Sequence, residues 1–140
     1  MKTITLITNS DILDLENTIK LSKKLSRIGL DRIQIREKNI PKNILINFIK
    51  KMKDSTDETC KLILNGNFDL AVENNLNGVH FPEKYPITKK LNTKNLIIGR
   101  SIHENTNLTN DHNNFDYFHV GPIFTTLSHP NGKTIDEENI

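Results

Sequence analysis

The stretch FDYFHVGPIFTTLSHP, residues 115–130, ends an apolar run in Gly121-Pro122 and then places Thr125, Thr126, Ser128 and His129 close together. Hydroxyls and an imidazole can ring an anion without adding net charge, since each offers a hydrogen-bond donor. Thr126, Ser128 and His129 are therefore candidate anion ligands. A second polar group stands in DRIQIREKN, where Arg36 and Lys38 flank Glu37 just past an apolar run. Alternation along an extended chain puts both cations on one side, and they bind anions if that side faces a site. Asn65 ends KLILN, His80 lies in GVHF, and Ser101 and His103 close LIIGRSIH. Each also has a structural role open to it: Asn65 as a helix cap, His80 as a hydrogen-bonded interior side chain, Ser101 as a packing residue. His112 and His119 read as ordinary loop and strand residues.

These residues need elements that bring them together. Six short β-rich runs recur, at 3–8, 31–36, 61–65, 78–81, 96–102 and 115–121. Most are nearly continuous in apolar residues, the pattern of parallel strands covered on both faces. ILDLENTIKLSKKLSRIGL repeats Ile12, Leu15, Ile19, Leu21, Leu25 and Ile28 at helical spacing, with Gly29 where a C-cap belongs. PKNILINFIKKMKD starts at Pro41, suited to a first helical position, and carries Ile44, Leu45, Phe48, Ile49 and Met52 as its stripe. NFDLAVENN supplies a short third helix. Residues 83–94 and 103–114 are polar, asparagine-rich connections.

Strand and helix in alternation make βαβ units, which build either an open doubly wound sheet or a barrel. No strand is followed by GxGxxG or GxxxxGK[ST], so the phosphate loops of the open nucleotide folds are missing. The polar residues fall instead at the C-terminal ends of several strands, which in a barrel converge on one mouth. The expected fold is α/β, of the (β/α)8 TIM-barrel type.

Composition narrows the function. The chain of 140 residues is expected to form one domain, 1–140, since a domain of about 150 residues buries roughly 70% of its unfolded surface. A net charge of +2 with both signs interspersed offers no basic face for nucleic acid. Neither a membrane-length apolar run nor a signal peptide is present, so the expected location is cytoplasmic. The single cysteine, Cys60, excludes a disulfide framework or a cysteine metal site and reads as a buried core thiol.

Taken in order, IREK (35–38), LILNGNFDLAVENNLNGVHFP (62–82), IIGRSIH (97–103) and DYFHVGPIFTTLSHP (116–130) resemble the thiamine phosphate synthase and TenI superfamily. The likeness runs over nearly the whole chain, and the GP-F-T-HP pattern after a DY strand is its most specific part. It implies a (β/α)8 barrel that acts in thiamine biosynthesis or salvage on a small phosphorylated thiazole. Two activities occur there. Synthases join a pyrimidine diphosphate to thiazole phosphate and hold Mg²⁺ with two aspartates, whose positions are Gly66 and Tyr85 here. Without those carboxylates a hard cation lacks its preferred oxygen ligands. Glu83 stands nearby and reads as a solvated loop carboxylate.

The TenI-type thiazole tautomerases lack those carboxylates. They need no metal or other cofactor, only a group that takes a proton at one site and returns it at another, and histidine suits this near neutral pH. The resemblance gives that role to His103, and substrate binding to Arg36, Lys38, Asn65, His80, Ser101, Thr126, Ser128 and His129. The family more often has lysine where His129 stands, which implies weaker or pH-dependent anion binding. SHP also resembles TenI-like domains fused to Nudix hydrolases. The alternatives are a noncatalytic or vestigial TenI-like binding domain and, further off, a thiamine phosphate synthase.

The family continues through two more strands, whereas residue 140 follows soon after the sixth run. The expectation is thus a barrel truncated to about six parallel strands, lacking the last two βα units and the loops that usually form the phosphate site. Its edges would be unpaired and its apolar interior exposed. A fragment of a longer protein, an inactive remnant, or a subunit whose barrel a partner closes, as in a homo-oligomer, all fit these residues.

Overall fold

The structure, a computed structural model, describes residues 2–86, 95–103, 114–124 and 134–135. Its elements are β1 (Thr5–Ile7), α1 (Leu15–Arg27), β2 (Arg32–Ile35), α2 (Lys42–Ser55), β3 (Lys61–Asn65), α3 (Phe68–Glu73), β4 (Gly78–Phe81), β5 (Ile97–Ile102) and β6 (Tyr117–Val120). The strands form one parallel sheet in the order β1-β2-β3-β4-β5-β6.

Local chemistry sets the helix ends. The Asp14 carboxylate accepts the Asn17 N–H at 2.9 Å and starts α1. At the other end Leu30 N–H reaches the Leu25 carbonyl and Gly29 N–H the Ser26 carbonyl, with Gly29 at φ +98°. This paired closure needs a residue at ease in the left-handed region, which glycine is. Pro41 is the N-cap of α2 rather than its first helical residue. Asn67, not Asn65, caps α3 by accepting the Leu70 N–H at 2.9 Å.

The face that α1 buries differs from its apolar stripe. Thr18, Ser22 and Ser26 are buried, whereas Ile12 and Ile28 fall beyond the helix ends and stand exposed. Small side chains fill the buried face of α1, where Ser26 Oγ accepts the Asp57 N–H at 3.0 Å, and Leu15 and Ile19 pack at the core margin. In α2 the stripe is met in its second half, with Phe48, Ile49 and Met52 buried, whereas in the first turn Leu45 is half-buried and Ile44 is 40% exposed.

The parallel registers divide the sheet into two faces. Ile33 and Ile35, Leu62 and Leu64, Val79 and Phe81, and Ile98 point outward and pack with α2 and α3 in the hydrophobic core, where Cys60 is also buried. Each such side chain contributes roughly 1.5–3 kcal/mol by leaving water. The opposite face carries Arg32, Gln34, His80, Ser101, Tyr117 and His119, together with Ile7, Ile63 and Ile97. The expectation of an exposed apolar interior is therefore corrected. Much of that face is polar, although Ile7 on the β1 edge is 45% exposed.

This second face is concave. On a flat sheet β2 and β6, four strand spacings apart, would be separated by roughly 19 Å. Yet the Arg32 guanidinium lies 4.8 Å from the centre of the Tyr117 ring, so the sheet curls as a barrel wall does. The fold is a six-stranded arc of the (β/α)8 barrel type.

Candidate active site

The C-terminal strand ends form the rim of the arc. At β1 and β2 the rim is latched by Glu37, whose carboxylate accepts the Thr8 hydroxyl at 2.5 Å and the Ser10 N–H at 2.8 Å. The Thr8 oxygen accepts the Arg36 N–H at 3.1 Å. Arg36 thus leaves a fixed backbone and is half-buried, while Lys38 is exposed. Asn65 is half-buried at the end of β3. Gly66 follows at φ +81°, its N–H on the His80 carbonyl at 2.9 Å, and a Cβ there would meet nothing within 4 Å.

His80 is fully buried on the concave face. Its Nε2 lies 2.8 Å from Ser101 Oγ and its Nδ1 3.2 Å from the Tyr117 hydroxyl. The His119 ring packs 4.6 Å from it. Tyr117 reaches this position by lying across Gly99, where a Cβ would fall 2.1 Å from the tyrosine Cζ. Burial, and then the charges of His119, His103 and Arg36, push the His80 pKa down to about 3, so it is a neutral imidazole. Burial also pushes the Tyr117 hydroxyl up to about 12 and lowers the pKa of His119.

His103 stands exposed just beyond β5 and is held from two sides. Its backbone N–H donates to Glu83 Oε1 at 2.8 Å, and its Nδ1 lies 2.5 Å from the Gly121 carbonyl oxygen. A carbonyl only accepts, so Nδ1 carries a proton and Nε2 is left to exchange one with a ligand. Glu83 is therefore no solvated loop carboxylate. Its backbone carbonyl also accepts Arg100 Nη2 at 2.6 Å, which docks the segment after β4 onto β5.

Of the candidate residues, His80 and Ser101 touch directly, and Arg36 and His103 lie near enough to bias the His80 charge. Asn65 pairs in register with His80. Thr126, Ser128 and His129 lie outside the described residues, as does His112. The sequence does not single out Tyr117 and offers His119 only as an ordinary strand residue; the register places both on the concave face.

The described residues do not fit a Mg²⁺ ion. Gly66 has no side chain, Tyr85 packs its ring 4.7 Å from Phe81, and a Glu83 oxygen is engaged by the His103 N–H. Among the described residues no three carboxylate, histidine or cysteine groups converge. No helix among them is long and apolar enough to cross a membrane.

Comparison with known proteins places this geometry. A family model described as thiamine monophosphate synthase matches residues 4–140. A protein of Aquifex aeolicus, named provisionally as thiamine-phosphate synthase 2, is 31% identical over 126 residues, 86% of this chain and 67% of that protein. The thiamine-phosphate synthase of Clostridium tetani is 29% identical over 143 residues, 99% of this chain and 68% of its own length. Among solved structures, thiamine phosphate pyrophosphorylase from Pyrococcus furiosus superposes with a TM-score of 0.71 at 22% identity, covering 89% of this chain and 62% of that one. The chain thus spans about two thirds of the length of these relatives.

Proposed function

The chain belongs to the thiamine monophosphate synthase family, the thiamine phosphate synthase and TenI superfamily, and from that premise we propose that it performs the metal-independent proton transfer of a thiazole tautomerase. The observation that carries this reading is His103, exposed at the rim with Nδ1 committed to the Gly121 carbonyl and Nε2 without a partner among the described residues, beside Gly66 and Tyr85 where the resemblance calls for the two Mg²⁺ aspartates. In the proposed step Nε2 takes a proton from the ring carbon of a thiazole carboxylate phosphate, and the imidazolium returns it at the position that leaves the ring aromatic. Proton count and charge balance over the cycle. Arg36 and Lys38 at the end of β2, with Thr126, Ser128 and His129, are the proposed anion ligands; Asn65, His80 and Ser101 line the concave side.

A second reading, thiamine phosphate synthase, is supported by the names of the relatives. By family resemblance it calls for Mg²⁺ carboxylates at Gly66 and Tyr85, which this chain lacks. The two readings separate in one assay pair. Isomerisation of thiazole carboxylate phosphate in chelator supports the first. Thiamine phosphate formed only when pyrimidine diphosphate, thiazole phosphate and Mg²⁺ are supplied together supports the second.

A further inference from the structure

Tyr117 is held in place by an unusual device, a ring laid across Gly99 that carries its hydroxyl to His80 Nδ1 at 3.2 Å, while His80 Nε2 meets Ser101 Oγ at 2.8 Å. A neutral imidazole has one N–H and one lone pair, so it passes hydrogen bonds in a single direction. Two directions exist. In the first, Ser101 donates to Nε2 and Nδ1–H donates to the tyrosine oxygen, which leaves the phenol proton without an acceptor among the described residues. In the second, Tyr117 donates to Nδ1 and Nε2–H donates to Ser101 Oγ. The proton left over is then that of Ser101; both groups are partly exposed, but Ser101 stands two residues nearer the C-terminal rim than Gly99, the register partner of Tyr117. A spare donor is tolerated where water or a ligand meets it and is costly where it is desolvated.

We infer that the chain runs from Tyr117 through His80 to Ser101, so that Tyr117 is a positioning residue that turns Ser101 into a hydrogen-bond donor toward the rim. Such a donor selects an acceptor atom, a carboxylate or phosphate oxygen, and discriminates against a ligand N–H at that spot. Burial keeps His80 neutral and Tyr117 protonated, as either direction requires. Ser101 serving the substrate rests on the function proposed above; the direction of the chain does not.

The test is the tautomer of His80, read by two-bond nitrogen–proton NMR correlation in the ligand-free protein at neutral pH. The expected state is Nε2 protonated with Nδ1 in the unprotonated range; a protonated Nδ1 overturns the inference. In Tyr117→Phe, which keeps the ring over Gly99, Nδ1 loses only its donor and is expected to stay unprotonated, because a proton placed there would have no acceptor. In Ser101→Ala, where Tyr117 still donates, the parent tautomer is expected. A protonated Nδ1 in Tyr117→Phe or in Ser101→Ala contradicts the assigned direction. With thiazole phosphate as the probe, Ser101→Ala is expected to weaken binding roughly tenfold, as for a lost bond to a charged acceptor. Tyr117→Phe weakens it in the parent and not in the Ser101→Ala background. Additive losses overturn the link to Ser101, while a probe that binds neither parent nor variants sinks the proposed function and leaves the tautomer result decisive.

Discussion

Two histidines on neighbouring strands have opposite environments. His80 has both nitrogens engaged and is buried, whereas His103 is exposed with one nitrogen committed. The first is a structural titration probe. Its pKa of about 3 in the fold lies below the ordinary 6.5, so the unfolded chain binds the extra proton between those values. Stability is accordingly full above pH 6.5 and is lost as pH falls toward 3, by up to roughly 1.4 kcal/mol per pH unit. The lowered pKa of His119 acts in the same sense. Urea midpoints measured from pH 7 to 4 should show this slope, and His80→Gln should remove most of it; an unchanged slope would refute the assignment. For Glu83, alanine is expected to lower kcat several-fold by releasing the His103 backbone, while Glu83→Gln, which still offers an acceptor, should stay near the parent. Equal loss in both would show that the carboxylate charge matters instead.

At the scale of elements, close packing of strands sets the strictest limits. A Cβ at Gly78 would fall 2.1 Å from the Ile97 carbonyl oxygen, and one at Gly99 2.1 Å from Tyr117 Cζ. Gly99→Ala must therefore expel the Tyr117 ring, with an expected loss of about 1–3 kcal/mol seen as a lower Tm. Gly78→Ala meets backbone, which cannot swing away, and should cost more. The strands were readable because dense apolar runs mark them, and KLILN and GVHF match β3 and β4 residue for residue. Helix α1 was readable in existence, though Ile12 and Ile28 of its expected stripe fall outside Leu15–Arg27, and not in which face it buries, since Thr18, Ser22 and Ser26 pack through small size rather than hydrophobicity. The polar concave face was not legible either. Which of two alternating sets faces inward depends on register and curl, and no local pattern in YFHV reveals that Tyr117 and His119 meet His80. His103 was legible only through the motif around it, because its partners Glu83 and Gly121 are remote in sequence.

The molecule as a whole separates stability from chemistry across one sheet. The convex face and its helices hold the apolar core, and the concave face and rim carry the imidazoles, hydroxyls and cations. That division lets rim residues change with little effect on folding, so His103→Ala should unfold at the parent's urea midpoint. The most direct measurement is NMR-monitored isomerisation of thiazole carboxylate phosphate in chelator-treated buffer, with parent and His103→Ala side by side. The account expects turnover by the parent and a loss of at least about 100-fold in the variant. Equal activity in the two proteins, or turnover that appears only when Mg²⁺ and pyrimidine diphosphate are added, would contradict it.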